Sequence, residues 1–110
     1  MPHPDRSPFD PSIDEMRSMG HDVVDLLSRF VDDRYAARTS DLADLAPLLA
    51  MLSEAPRDEG TGLRTLMSTV EAAAGKGFDP ANPGFVAYIP GGGLYASALA
   101  DFMACVFNRY

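Results

Sequence analysis

The stretch NPGFVAYIPGGGLYASALADF, residues 82–102, decides how this chain is read. It opens on Asn82, Pro83 and Gly84, which is turn chemistry, and passes into Phe85, Val86, Ala87, Tyr88 and Ile89. That run is aromatic and β-branched and bounded by proline and glycine on both sides, so it reads as a short strand or extended segment over 85–89. Three consecutive glycines, Gly91, Gly92 and Gly93, separate it from an apolar helix that starts at Tyr95. A glycine loop before a helix N-terminus can let backbone N–H groups approach an anion. The spacing here has neither the G-x-G-x-x-G of a dinucleotide fingerprint nor the Gly-Lys-Ser/Thr ending of a P-loop, and it favours a plain turn.

The helix that follows, over 95–110, places Tyr95, Ala98, Leu99, Phe102, Met103, Val106 and Phe107 on one broad face. Burying its five large side chains is worth about 1.5–3 kcal/mol each. Asn108, Arg109 and Tyr110 supply no obvious cap or partner element. The expectation is that another chain, or further sequence in a longer protein, covers this face.

Upstream, residues 1–11 hold four prolines among polar residues and read as a flexible arm. Ser12 followed by Glu15 is a capping box. Apolar residues then recur at Ile13, Met16, Val23, Val24, Leu27, Phe30 and Val31, which predicts an amphipathic helix from 12 to about 38. Its other face carries Asp14, Arg17, Asp22, Asp25, Arg29 and Asp32 and reads as solvated. A second helical stretch over 40–53, capped by Ser40 or Asp41, contains Pro47, which predicts a break into a turn and a shorter helix. Thr61 is the expected cap of a third helix carrying Leu63, Leu66, Met67, Val70, Ala73 and Ala74, stopped by Gly75 and Gly77.

Composition narrows the function. At 110 residues the chain has room for one domain. Net charge is -7, and the acid is concentrated at the front: residues 1–60 carry thirteen Asp or Glu and six Arg, residues 61–110 three of each sign. Nucleic-acid and anionic-membrane surfaces need clustered Lys and Arg, so neither is an expected partner. No apolar run approaches the roughly 18 residues of a membrane span, and residues 1–12 lack a signal-peptide core. A single cysteine, Cys105, fits a reducing compartment, and a cytoplasmic location is expected.

Individual residues offer little chemistry. Lys76, the only lysine, lies between Gly75 and Gly77 and reads as an exposed helix end rather than a Schiff-base amine. His3 and His21 have no further ligand at metal spacing. Cys105, among apolar and small residues, reads as a buried inert thiol. No nucleophile, base and orienting acid assemble into a triad. The residues thus give no catalytic, cofactor-binding or metal site.

The segment from Asn82 onward resembles the N-terminal region of the group II pyridoxal-phosphate-dependent decarboxylases, the family of the aromatic-L-amino-acid, histidine, tyrosine and glutamate decarboxylases. The resemblance rests on Pro83, Phe85, Ala87, Tyr88 and Pro90, then Leu99, Ala100 and Asp101, with Val23, Val24 and Asp25 matching the centre of the family's first helix. It implies a mainly α N-terminal flap, three to four helices and one short extended segment, belonging to an aspartate-aminotransferase-like (fold type I) enzyme. The implied layout is an arm over 1–11, a helical flap over 12–80, and over 81–110 a substrate-loop motif with the helix leading into a large cofactor domain.

The same resemblance implies a homodimer with swapped N-terminal helices, a small-molecule amino-acid substrate, and Tyr88, Ile89, Pro90 and Gly91 bordering that substrate. Pyridoxal 5'-phosphate and its lysine would belong to the large domain, so these 110 residues alone would be inactive. Family members acting on aromatic amino acids usually carry a His-Trp and a second His around the Pro-x-Phe motif. This chain has Phe78, Asp79, Pro80, Ala81, Asn82 and Gly84 there, which implies a roomier or differently polar pocket. The competing readings are a stand-alone acidic helical interaction module and, less favoured, a small phosphate binder using the glycine loop.

Overall fold

Ser12 starts the first helix as its spacing predicts. In the computed structural model, which describes residues 10–80, 82–86 and 93–108, the Glu15 N–H donates to Ser12 Oγ at 3.2 Å and the Ser12 N–H to the Glu15 carboxylate at 2.6 Å. Two of the helix's orphan donors are thereby satisfied. Helix α1 runs over Ile13–Asp33 and ends about a turn earlier than the sequence predicts. Beyond it the Ala36 and Ala37 N–H groups both donate to the Asp33 carbonyl, at 2.9 and 3.0 Å, so the chain closes into a turn.

The second helical stretch is corrected. Ser40–Asp41 form a two-residue strand, β1, and helix α2 occupies only Leu45–Leu52. Pro47 does not break it but sits in its first turn, where the missing N–H would have had no helical acceptor. Asp41 does not cap this helix: its Oδ1 accepts the Ala43 N–H at 3.0 Å in a local turn, and Asp44 enters the helix at φ 50°, a left-handed conformation that Asp tolerates. Helix α3 spans Leu63–Ala74, with Gly62 rather than Thr61 as its N-cap and no side-chain capping bond.

Gly77, at φ +94°, turns the chain out of α3, a conformation costly for any residue with a Cβ. It opens β2 (Gly77–Phe78), antiparallel to β1 with Ser40 opposite Phe78 and Asp41 opposite Gly77. Nothing in the periodicity predicts this ribbon, because two residues carry no period. Phe85 and Val86 lie in no strand, and the rest of the expected 85–89 segment is outside the described residues. Helix α4 spans Tyr95–Phe107. Its C-terminus is capped after all: Asn108, at φ 39°, donates its N–H to the Ala104 carbonyl at 3.0 Å.

The described residues are thus mainly helical, with four helices and one two-stranded sheet. Helix α3 packs on α1 and on α2, and β1 pairs with β2; α4 makes no comparable packing. Among the described residues no hydrophobic side chain is buried. The apolar stripe of α1 lies half-exposed, from Ile13 at 59% to Phe30 at 45%, and on α4 Phe102 and Phe107 are 64% and 69% exposed.

The whole chain shows the same excess. Its radius of gyration is 17.4 Å, against about 13 Å for a compact chain of this length. Its accessible surface is 9553 Å² for 11.8 kDa, against roughly 5900 Å² for a compact monomer.

Candidate functional site

The buried residue among those described is polar: Asn82, 8% exposed. Its Nδ2 donates to the carbonyl oxygens of Arg34 at 2.8 Å and Ala37 at 2.9 Å, two groups left without helical partners where α1 ends. Its Oδ1 accepts the Gly84 N–H at 2.8 Å and the Thr39 hydroxyl at 3.3 Å. All four hydrogen-bonding positions of the amide are therefore used, and the donors and acceptors around it fix which way it points. Asn82 also closes its own turn, with its N–H on the Asp79 carbonyl at 3.2 Å and its carbonyl accepting the Phe85 N–H at 2.9 Å.

Three further bonds bind the same pair of connecting segments. The Asp79 N–H donates to the Thr39 carbonyl at 2.9 Å, extending the β1–β2 ribbon. Lys76 Nζ donates to Asp41 Oδ2 at 3.1 Å and to the Ala43 carbonyl at 2.7 Å. Lys76 is therefore not the exposed helix end that its flanking glycines predict. It is a half-buried clip holding the entry to α2 against the exit of α3.

Gly84 fits this junction because it has no side chain. A Cβ there would lie 2.8 Å from Thr39 Oγ1, where something must shift, and 3.2 Å from Asn82 Oδ1, where the neighbour must give by a few tenths of an ångström. The glycine at the variable position of the Pro-x-Phe motif thus has a packing cause, the approach of Thr39 from the other connecting segment.

The acidic face of α1 is not only solvated. Arg64 of α3 grips Asp22 with two bonds, Nε to Oδ2 at 2.9 Å and Nη2 to Oδ1 at 3.0 Å. This hydrogen bonding holds the Asp22 carboxyl below its ordinary range and raises the Arg64 guanidinium further. The pair lines an open groove of about 220 Å³ between the two helices, with Leu26 and Met67 at its apolar side. A second hollow, about 350 Å³, lies where Tyr95 meets Val31, Arg34 and Tyr35 at the end of α1. There the Arg34 guanidinium lies 5.2 Å from the centre of the Tyr35 ring, and its Nε is buried without a hydrogen-bond acceptor.

Asp41 is also shifted down, first by the Ala43 N–H it accepts and then by Lys76. A carboxyl whose folded pKa lies below its unfolded value stabilises the fold at pH above that unfolded value and loses the contribution as pH falls through the folded one. Stability should therefore drop through the range below pH 3.8, the ordinary value for this group. In Asp41→Asn the part of that drop due to Asp41 should vanish, checked by urea midpoints from pH 2 to pH 6. An acid limb identical in the two proteins would refute it.

The residues expected to border a substrate, Tyr88, Ile89, Pro90 and Gly91, lie outside the described residues, as does Gly92. Asn82 was missed by sequence reasoning; its only signal was an Asn immediately before Pro-Gly, which marks a turn but not its long-range partners. Cys105 is exposed on α4, not buried. Among the described residues no group of three His, Cys, Asp or Glu could hold a metal, and no helix is long and apolar enough to cross a membrane. Pyridoxal phosphate does not fit the described side chains either. Its attachment needs a neutral amine, and the amine of Lys76 is held as an ion-paired donor.

No family model matches the chain, and no solved structure matches it. Over 100 residues, 90% of this chain, it is 28% identical to an aromatic-L-amino-acid decarboxylase of Bacillus atrophaeus. The similarity suggests a relationship to the group II decarboxylases. The chain spans 21% of the length of that relative.

Proposed function

We propose that this chain is the N-terminal part of a pyridoxal-phosphate-dependent amino-acid decarboxylase, giving dimer contacts and part of the substrate pocket without being catalytic itself. The observation that carries the reading is the similarity to the Bacillus atrophaeus enzyme over 90% of the chain. The structure adds a physical reason for a larger assembly: among the described residues no hydrophobic side chain is buried, and the apolar stripes of α1 and α4 stay exposed. The exposed stripe of α1 is assigned to a partner subunit, in a homodimer with swapped N-terminal helices, and the broad face of α4 to the large domain that follows.

In this reading residues 12–80 are the flap, and 81–110 carry the substrate loop and the first helix towards the large domain. Tyr88, Ile89, Pro90 and Gly91 form a wall of the pocket, and the location is cytoplasmic. Pyridoxal phosphate, when bound, supplies the electron sink for loss of the carboxylate. Its lysine lies in the large domain, in keeping with the engagement of Lys76 by Asp41.

The test is the full-length protein. It should carry the visible absorbance of lysine-bound pyridoxal and release carbon dioxide from an amino acid in a panel of aromatic residues, histidine and glutamate. A protein that stays colourless with added cofactor, and releases nothing, would refute the reading and leave the acidic interaction module in its place.

A further inference from the structure

We propose that the hollow between the end of α1 and the start of α4 is a binding site for a small organic monocarboxylate with a flat apolar body, gripped by the guanidinium of Arg34. The site exists whether or not the protein is a decarboxylase, because the residues that build it lie in α1, its closing turn and α4.

Helical spacing makes its floor. Ser28, Val31 and Asp32 recur at three and four residues along α1, and Tyr35 continues the row into the closing turn. Tyr95, the first residue of α4, lines the same hollow. Its volume of about 350 Å³ lies at the lower end of the range for small-ligand sites, about 300–1000 Å³. The walls have the mixed character of such sites, with the apolar bodies of Val31 and two tyrosine rings and a few polar groups among them.

Arg34 supplies the reason for an anion. Arg17, Arg29, Arg38, Arg57 and Arg64 are exposed, whereas Arg34 is half-buried. Among the described residues it pairs with no carboxylate, while the half-buried amine of Lys76 has Asp41. Its Nε is buried without an acceptor, and a charged donor withdrawn from water without a partner is costly. Its present hold is slight. Nη2 donates to the Tyr35 hydroxyl at 3.5 Å, the limit of a hydrogen bond, and the guanidinium carbon lies 5.2 Å from the centre of a ring that is 70% exposed. A carboxylate entering the hollow draws the fork off that ring, and Nε and one Nη then donate two parallel bonds to its paired oxygens. The tyrosine rings and Val31 cover the apolar body. Asp32, in the same wall, opposes a second negative charge and so favours a monocarboxylate over a phosphate.

Calorimetric titration of the full-length protein with benzoate tests the site. Benzoate should bind with a millimolar Kd, and Arg34→Met should weaken it about tenfold, because the paired bonds go with the charge. Arg34→Lys keeps the charge without the fork and should recover only part of that loss. Benzamide, of the same shape and uncharged, should bind the wild type about tenfold more weakly than benzoate. A carboxylate site elsewhere in the protein is untouched by the substitution, so equal benzoate affinity in the wild type and Arg34→Met overturns the proposal. Equal affinity for benzoate and benzamide overturns it in the wild type alone. Inorganic phosphate that displaces the Arg34-dependent benzoate overturns the monocarboxylate class.

Should Arg34→Met not fold, Tyr95→Ala removes a wall from the other helix and should weaken benzoate severalfold; no change overturns the site. An absence of benzoate binding also overturns it, and hands the guanidinium to an acidic side chain of the rest of the protein.

Discussion

The isolated 110-residue chain is expected to self-associate at micromolar concentration, and Phe102→Asp combined with Val106→Asp should reduce that association sharply. The cause is the bare face of α4, where Leu99, Phe102, Met103, Val106 and Phe107 are between 41% and 69% exposed. Covering what remains exposed of these five side chains, roughly three fifths of each, is worth about 4–9 kcal/mol in total, comparable with the whole stability of a domain, about 5–15 kcal/mol. A surface of that value is covered by whatever apolar surface is available. Light scattering coupled to gel filtration reads the result. A monomeric wild-type chain with a single cooperative unfolding transition would contradict the prediction.

Asn82→Ala in the full-length protein should cost about 2–4 kcal/mol, read as a lower urea midpoint. Each buried group left without its partner costs about 1–3 kcal/mol. The substitution strips the Arg34 and Ala37 carbonyls and the Gly84 N–H at once, and water entering the junction recovers part of the loss. Pro83→Ala is the control: it leaves every one of these bonds in place, and a loss as large as that of Asn82→Ala would show that the turn, not the amide, holds the junction.

Much of the local structure was legible. Ser12 and Glu15 announced the start of α1, and the repeat of Leu63, Leu66, Met67 and Val70 announced α3, because capping and periodicity involve neighbours three or four residues apart. The errors have a common cause. Pro47 was read against a helix beginning at Ser40, but Ser40 and Asp41 are drawn into the ribbon with Gly77 and Phe78, which leaves Pro47 in a first turn. Asp22 looked like one more solvated acid until α3 brought Arg64 to it across forty-two residues. Lys76 looked exposed because its flanking glycines say nothing of Asp41 and Ala43.

The residues placed by resemblance, Tyr88, Ile89, Pro90 and Gly91, could not be reached by that reasoning at all. Spacing alone makes their glycine loop a turn, and the substrate beside it is proposed only on the likeness to the decarboxylases.

By itself, then, the sequence determined the four helices, the turn at Asn82, Pro83 and Gly84, and an apolar face on α4 that the described elements leave open. These are decided by side chains acting on their own turn of backbone. Only the tertiary structure decided that α1 stops at Asp33, that two residues on each side make a ribbon, and that one asparagine joins the end of the first helix to residues 83–85. The physical reason is range. A buried amide satisfies whichever carbonyls the fold brings within 3 Å, and which carbonyls those are depends on segments separated by more than forty residues.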